Sequence, residues 1–199
     1  MSAREAGQRA WDWMKSDQGL MLWAVVVGIA SGLLAVMMKQ SVAGLRAGMF
    51  AIQGWLGGSW FLALGPILGL VATATVVQKL LHNEHPGPGI PSTLHAISTR
   101  RGRMKRTWMF APVVTSILSV GFGGSGGLEA PAVQAGAAIG SEVASQTRRH
   151  FRRRLLLIGC AAAGSLAAMF KAPVAAIVFA VEVIMIDLTA SSLVPILLA

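Results

Sequence analysis

The sequence predicts an all-α, polytopic membrane protein with interrupted helices, forming a single domain over residues 1–199. Three observations carry that reading. Hydrophobic residues make up 54% of the chain and charged residues 13%, with a mean hydropathy of +0.64. Soluble chains carry about 25% charged residues, so the competing class is an unusually apolar soluble core. The uncharged runs argue against it. Gly19–Met38, Ala47–Gln78 and Thr107–Leu128 each reach or exceed the roughly 18–20 residues of a bilayer span. Finally, ten of the seventeen basic residues fall in two short blocks between apolar segments, RRGRMKR (100–106) and RRHFRRR (148–154). This positive-inside pattern predicts that both loops are cytoplasmic, with contact to anionic lipid headgroups as a secondary role. It also accounts for the net charge of +9 without nucleic acid, since no aromatic-studded groove accompanies the charges.

The elements follow in order. The polar segment SAREAGQRAWDWMKSDQG lacks a small-residue cleavage pattern, so the apolar run after it reads as a retained span. Trp11 and Trp13 among charges predict an interfacial helix over about 4–16. Long helices are predicted over 19–47 and 56–82, with Lys39 and Arg46 snorkelling at the end of the first. A short helix over 91–98 follows a Gly/Pro turn. Further helices are expected over 105–121, 131–147, 153–170 and 173–184, and another begins near 191. Shorter apolar runs at Leu155–Phe170, Ala172–Val181 and Leu188–Ala199 support the last three.

Two of these helices begin abnormally. In HPGPGIPSTLHAI (85–97), Gly87 and Gly89 permit tight backbone geometry, Pro88 forbids continuous helix, and Pro91 suits the first helical position. In GGLEAPAVQAG (126–136), Gly126 and Gly127 loosen the backbone, Glu129 precedes the break, and Pro131 opens the helix. Such starts leave backbone N–H groups and a positive dipole end inside the membrane, where non-helical backbone must be buried in protein or line a cavity. Each is an anion site by construction, and two of them in one small membrane protein suggest an anion pathway near the midplane. Glu129 is the only charged side chain between Thr107 and Ser141. Its carboxylate can occupy the cradle that a permeant anion would use, which makes it a candidate gate and proton carrier. The same residue type also serves as an acid that satisfies its own helix start. Both readings stand at this level.

Other chemistry is thinly supplied. Cys160 is the single cysteine, so no intrachain disulfide forms, and it reads as a small packing residue. His82, His85 and His95 lack metal-pair spacing, and no cofactor is expected. An intramembrane enzyme using Glu129 as acid or base would need a nucleophile–base pair or metal ligands, which the neighbourhood does not offer.

GPGIP (87–91), GLEAP (127–131) and GCAAAGSLAAMFKAPVAAIVFAVE (159–182) together resemble the CLC chloride channel and transporter family in order and spacing. The resemblance covers nearly the whole chain and corresponds to the N-terminal half of that family's membrane domain. It implies the first half of an inverted-repeat fold, in a homodimer of anion pores when full length, with chloride or other small anions and the lipid bilayer as partners. Glu129 matches the gating glutamate. Gly87, Pro88, Gly89 and Ile90 match the anion-coordinating turn, and Gly127, Leu128 and Ala130 beside the gate are the further anion-binding positions that the resemblance implies. Pro88 stands where the family usually has serine, which implies weakened chloride preference in favour of nitrate. Leu128 replaces a frequent arginine, and Ala130 a glycine. Glu182 matches the first of a glutamate pair used for proton coupling, whereas the second position is Val183, which implies channel-like or weakly coupled transport. An acid at a helix end is the alternative role for Glu182. The chain has no tyrosine, the residue that the family's second half gives to the anion site. The expectation is therefore a fragment of a longer protein, with a half-size product needing a partner as the alternative. On that alternative the chain is a non-conducting structural or assembly subunit.

Overall fold

The computed structural model describes residues 17–56, 60–79, 87, 89–147, 150–184 and 190–199. The expected interfacial helix over 4–16 lies outside them, as do Pro88, His82 and His85. Among the described residues every regular element is a helix. In chain order these are α1 (Asp17–Leu56), α2 (Trp60–Lys79), α3 (Ile90–Arg100), α4 (Thr107–Gly121), α5 (Glu129–Gln146), α6 (Phe151–Phe170), α7 (Pro173–Phe179) and α8 (Ala190–Leu198). A π-helical segment, Ala180–Ile184, extends α7 where a continuous α-helix to 184 was expected.

Among the described residues two stretches are long and apolar enough to cross a bilayer, Gly19–Gly54 and Phe151–Phe170. At about 1.5 Å per residue the first exceeds a hydrocarbon core of about 30 Å, so α1 fits one only when tilted. The 11-residue α3 and the 7-residue α7 are too short to span it.

The first helix runs nine residues past the expected 47. Lys39 and Arg46 lie within it because both cations find partners in the bundle. Lys39 Nζ donates to the carbonyl of Met169 at 3.2 Å, and Arg46 Nε to that of Val120 at 3.3 Å. Those carbonyls belong to the last turns of α6 and α4, where the helix leaves acceptors short of donors and the dipole favours positive charge. Neither residue therefore marks a helix end.

α6 is the central element. It packs most extensively against α5 and α1, and α7 folds back onto it. Its buried face includes Leu157, Ile158, Cys160, Ala161 and Ala162, so Cys160 is indeed a buried packing residue. Small residues set the helix spacing. A Cβ on Gly136 would lie 2.9 Å from the Ala161 carbonyl oxygen, and one on Gly140 2.9 Å from Ile158 Cα. A Cβ on Gly164 would lie 2.9 Å from Gly28 Cα. The pairs Gly28/Gly32, Gly65/Gly69 and Gly136/Gly140 are each four residues apart, which lines both glycines along one face. Where there is no hydrophobic drive between helices, such close approach supplies the packing energy. The outer faces are apolar instead: Ile29, Leu33 and Met37 on α1 and Ile67, Leu70 and Val71 on α2 are all more than half exposed. An apolar exterior over a small-residue interior suits a lipid surround.

Candidate anion site at two helix starts

The chain reaches α3 through glycines that only glycine chemistry permits. Gly87 and Gly89 have φ of 76° and 77°, left-handed values that carry little penalty without a Cβ. Gly89 is the N-cap, Ile90 is the first helical residue and Pro91 the second, so the proline sits one position later than expected. No side chain caps this start. The first intrahelical bond runs from the Thr93 N–H to the Gly89 carbonyl at 3.2 Å.

α5 begins at Glu129, with Leu128 as N-cap, and also lacks a side-chain cap. Pro131 is its third residue rather than its first, and Glu129 is inside the first turn rather than before it. Proline fits anywhere in that turn because those N–H groups have no intrahelical acceptor. The first bond runs from the Ala132 N–H to the Leu128 carbonyl at 3.0 Å.

The two starts meet. A Cβ on Gly89 would lie 2.8 Å from the Ala130 Cβ and 3.3 Å from its carbonyl carbon and oxygen. Two uncapped, electropositive ends thus share one contact, between Gly89 and Ala130. The side chains of Ile90 and Leu128 are used elsewhere. Ile90 packs on the main core, and Leu128 on Ala35, Ala132 and Met169. What both positions offer to a ligand is backbone N–H.

Glu129 is half-buried. Its carboxylate curls back over Gly127 rather than capping the helix: Oε2 occupies the space where a Cβ on Gly127 would go, with Cδ 3.3 Å from it. No side-chain cap hydrogen bond is made at the α5 start. Glu182 lies on a different element, exposed on the π segment. Among the described residues no group of three or more His, Cys, Asp or Glu could hold a metal.

Sequence reasoning passed over two residues here. Gln134 is fully buried on α5, and its Nε2 lies 3.9 Å from where a Gly87 Cβ would be. The Ser92 hydroxyl sits against the same point, close enough to exclude any Cβ there. The signal for Gln134 was available: it is a lone amide in the otherwise apolar stretch PAVQAGAAIG. For Ser92 no signal existed, since only the folded turn brings its hydroxyl to Gly87.

Helices that start uncapped against one another inside an apolar bundle are a feature of membrane transport folds built on broken helices. Comparison with known proteins places the chain further. The family described as voltage gated chloride channel matches residues 68–199, well over half of the chain, and the chain belongs to that family. Chloride channel protein CLC-b of Arabidopsis thaliana is 29% identical over 86% of this chain and 26% of its own length. The H(+)/Cl(-) exchange transporter ClcA of Klebsiella pneumoniae is 31% identical over 84% of this chain and 37% of its own. Among solved structures, a CLC-type fluoride/proton antiporter superposes with TM-score 0.72 at 25% identity, covering 91% of this chain and 44% of that one. A eukaryotic CLC transporter gives TM-score 0.73 at 21% identity, over 90% of this chain and 36% of that one. The chain thus spans less than half the length of these relatives, and its helices form a partial CLC fold.

Proposed function

We propose that this chain supplies one wall of an anion pathway, with Glu129 as its gate and chloride or nitrate as the permeant ion. The observation that carries the reading is the contact of Gly89 with Ala130, which sets two uncapped helix starts side by side. Backbone N–H groups and dipole ends at such a junction favour a small anion. The Glu129 carboxylate already stands at that junction without capping it, so it is positioned to compete with a diffusing anion. The names of relatives include both channels and proton exchangers. Val183 in place of a second carboxylate favours the channel-like, weakly coupled alternative. No enzymatic role is proposed for Glu129.

The remaining parts of the reading are supported by the resemblance to the family and by the placing of the basic blocks. The chain crosses the membrane several times with loops 100–106 and 148–154 on the cytoplasmic side, and the intact protein is a homodimer. Because the relatives are more than twice as long, conduction is proposed of the assembly that contains this chain. The second reading, a non-conducting assembly subunit, draws on that same difference in length. Anion efflux from liposomes holding the purified 199-residue chain separates the two.

The gate is tested with Glu129→Gln in the intact protein. Efflux from reconstituted vesicles should lose its dependence on pH while persisting at high pH. Wild-type pH dependence in the variant removes Glu129 from the mechanism. For selectivity, Pro88→Ser should raise chloride flux relative to nitrate, and an unchanged ratio ends that part of the proposal.

A further inference from the structure

A cleft of about 500 Å³ opens where the turn after α3 meets the start of α6, away from the two helix starts. Arg100, Arg101, Arg103 and Arg154 line it, together with His150 and Phe151. No carboxylate among the described residues lines it. The cleft is built rather than fortuitous. α3 ends on Arg101 and Gly102, both left-handed with φ of 51° and 70°, and the Gly102 N–H reaches back to the Ala96 carbonyl at 3.0 Å. The buried Ser141 hydroxyl locks the turn from below, donating to the Gly102 carbonyl at 2.6 Å and accepting from the Met104 N–H at 3.1 Å. A Cβ on Gly102 would lie 3.3 Å from Arg154 Cδ, so the turn and that side chain are in contact.

Arg154 is the telling residue. It is only 7% exposed, yet it is a cation. Its Nη1 donates to the Arg101 carbonyl at 3.0 Å, whereas its Nε has no hydrogen-bond partner among the described residues. Arg103 stands near enough for the two like charges to repel. Burying a guanidinium with an unmet donor beside another cation is costly unless an anion joins them. Arginine's planar fork fits phosphoryl oxygens in particular, taking two at once. Loop cations that only set topology need no such burial, since they work from solvent.

We propose that this cleft is a binding site for a phosphoryl anion, carried either by a membrane lipid headgroup or by a soluble phosphate. The half-exposed Phe151 on its rim sets an apolar ring beside the cations, the pairing that a headgroup with its first acyl carbons presents.

The intact protein in neutral detergent is titrated with dihexanoyl phosphatidylglycerol and, separately, with inorganic pyrophosphate. Dihexanoyl phosphatidylcholine is the zwitterionic control. Saturable binding of either anionic probe is expected, with at least tenfold weaker affinity in Arg100→Ala/Arg103→Ala, both of which are exposed. The control variant Arg106→Ala/Arg152→Ala removes the same charge from residues that do not line the cleft, and it should bind as wild type does. Binding of the lipid alone assigns a headgroup site, and equal binding of pyrophosphate assigns a soluble ligand. Equal losses in the two double variants would show diffuse attraction and overturn the proposal. So would saturable binding of neither anionic probe, or binding of the zwitterionic control as tightly as the anionic lipid.

Discussion

One methyl group at Gly89 tests whether the two helix starts must touch. Gly89 has φ 77° and ψ −115°, a region that costs an L-residue about 1–3 kcal/mol. The new Cβ would also stand 2.8 Å from the Ala130 Cβ, with the Ala130 backbone behind it at 3.3 Å. Carbon pairs rest at about 3.5–4.0 Å, so the starts must separate by roughly 1 Å, and overpacking of this kind costs about 1–3 kcal/mol. Together the terms come to about 2–6 kcal/mol, a large part of the roughly 5–15 kcal/mol that holds a domain folded. A shift of about 1 Å also carries N–H donors out of the 2.7–3.2 Å window for an anion they shared. Gly89→Ala should therefore lower both the thermal midpoint of the intact protein and its anion efflux from vesicles. Gly126→Ala is the matched control. A Cβ there would meet nothing nearer than Val120 Cγ2 at 3.5 Å, and the residue has no left-handed φ, so both readouts should stay at wild type. A Gly89→Ala protein with wild-type midpoint and flux refutes the argument that this contact organises the pathway.

Three further outcomes follow from the same geometry. Gly127→Ala should displace the Glu129 carboxylate, which occupies the space of the new Cβ but is the movable end of a long side chain; the thermal midpoint should hold while the pH dependence of efflux changes. Gly140→Ala meets backbone instead, with Leu157 C at 2.8 Å and Ile158 Cα at 2.9 Å, so a loss of about 1–3 kcal/mol should appear as a lowered thermal midpoint. Ser141→Ala removes both hydrogen bonds that lock the turn after α3, and the Gly102 and Met104 groups left behind should cost about 1–3 kcal/mol in the same assay.

The helices were legible because the apolar runs are long and because Gly and Pro punctuate them. The two broken starts were legible for the same reason: GPGIP and GLEAP announce themselves as turn followed by helix. What sequence placed wrongly were the prolines within those starts, since Pro91 and Pro131 suit any first-turn position equally well and fix no boundary. Lys39 and Arg46 misled more deeply. A cation in an apolar run signals a helix end only if it must reach water, and these two reach carbonyl groups in the last turns of α6 and α4 instead. Such partners lie 130 and 74 residues away along the chain, a separation no local pattern records. The meeting of Gly89 with Ala130 is of the same kind. The sequence supplied two anion-attracting ends, and only the fold could bring them together.

The glycine seams explain how that meeting is held. An uncapped helix start is a liability, because its N–H groups gain nothing from the bundle and its turn frays readily. α5 resists because it is anchored along its length rather than at its end. Gly136 and Gly140 bring its backbone against α6, and α6 in turn is drawn to α1 through Gly164 and Gly28. The residues between Ala132 and Ala138 are all buried, so the helix axis is fixed within two turns of Glu129. α3 is fixed from its far end, by the locked turn at Gly102 and Ser141. Both starts are thus positioned by contacts that involve no capping group, which leaves their N–H donors uncommitted. A side-chain cap such as Asp or Ser at the α5 N-cap would stabilise a helix start by about 1 kcal/mol, but it would fill the place where the anion is proposed to bind. Leu128 at that position leaves the place open.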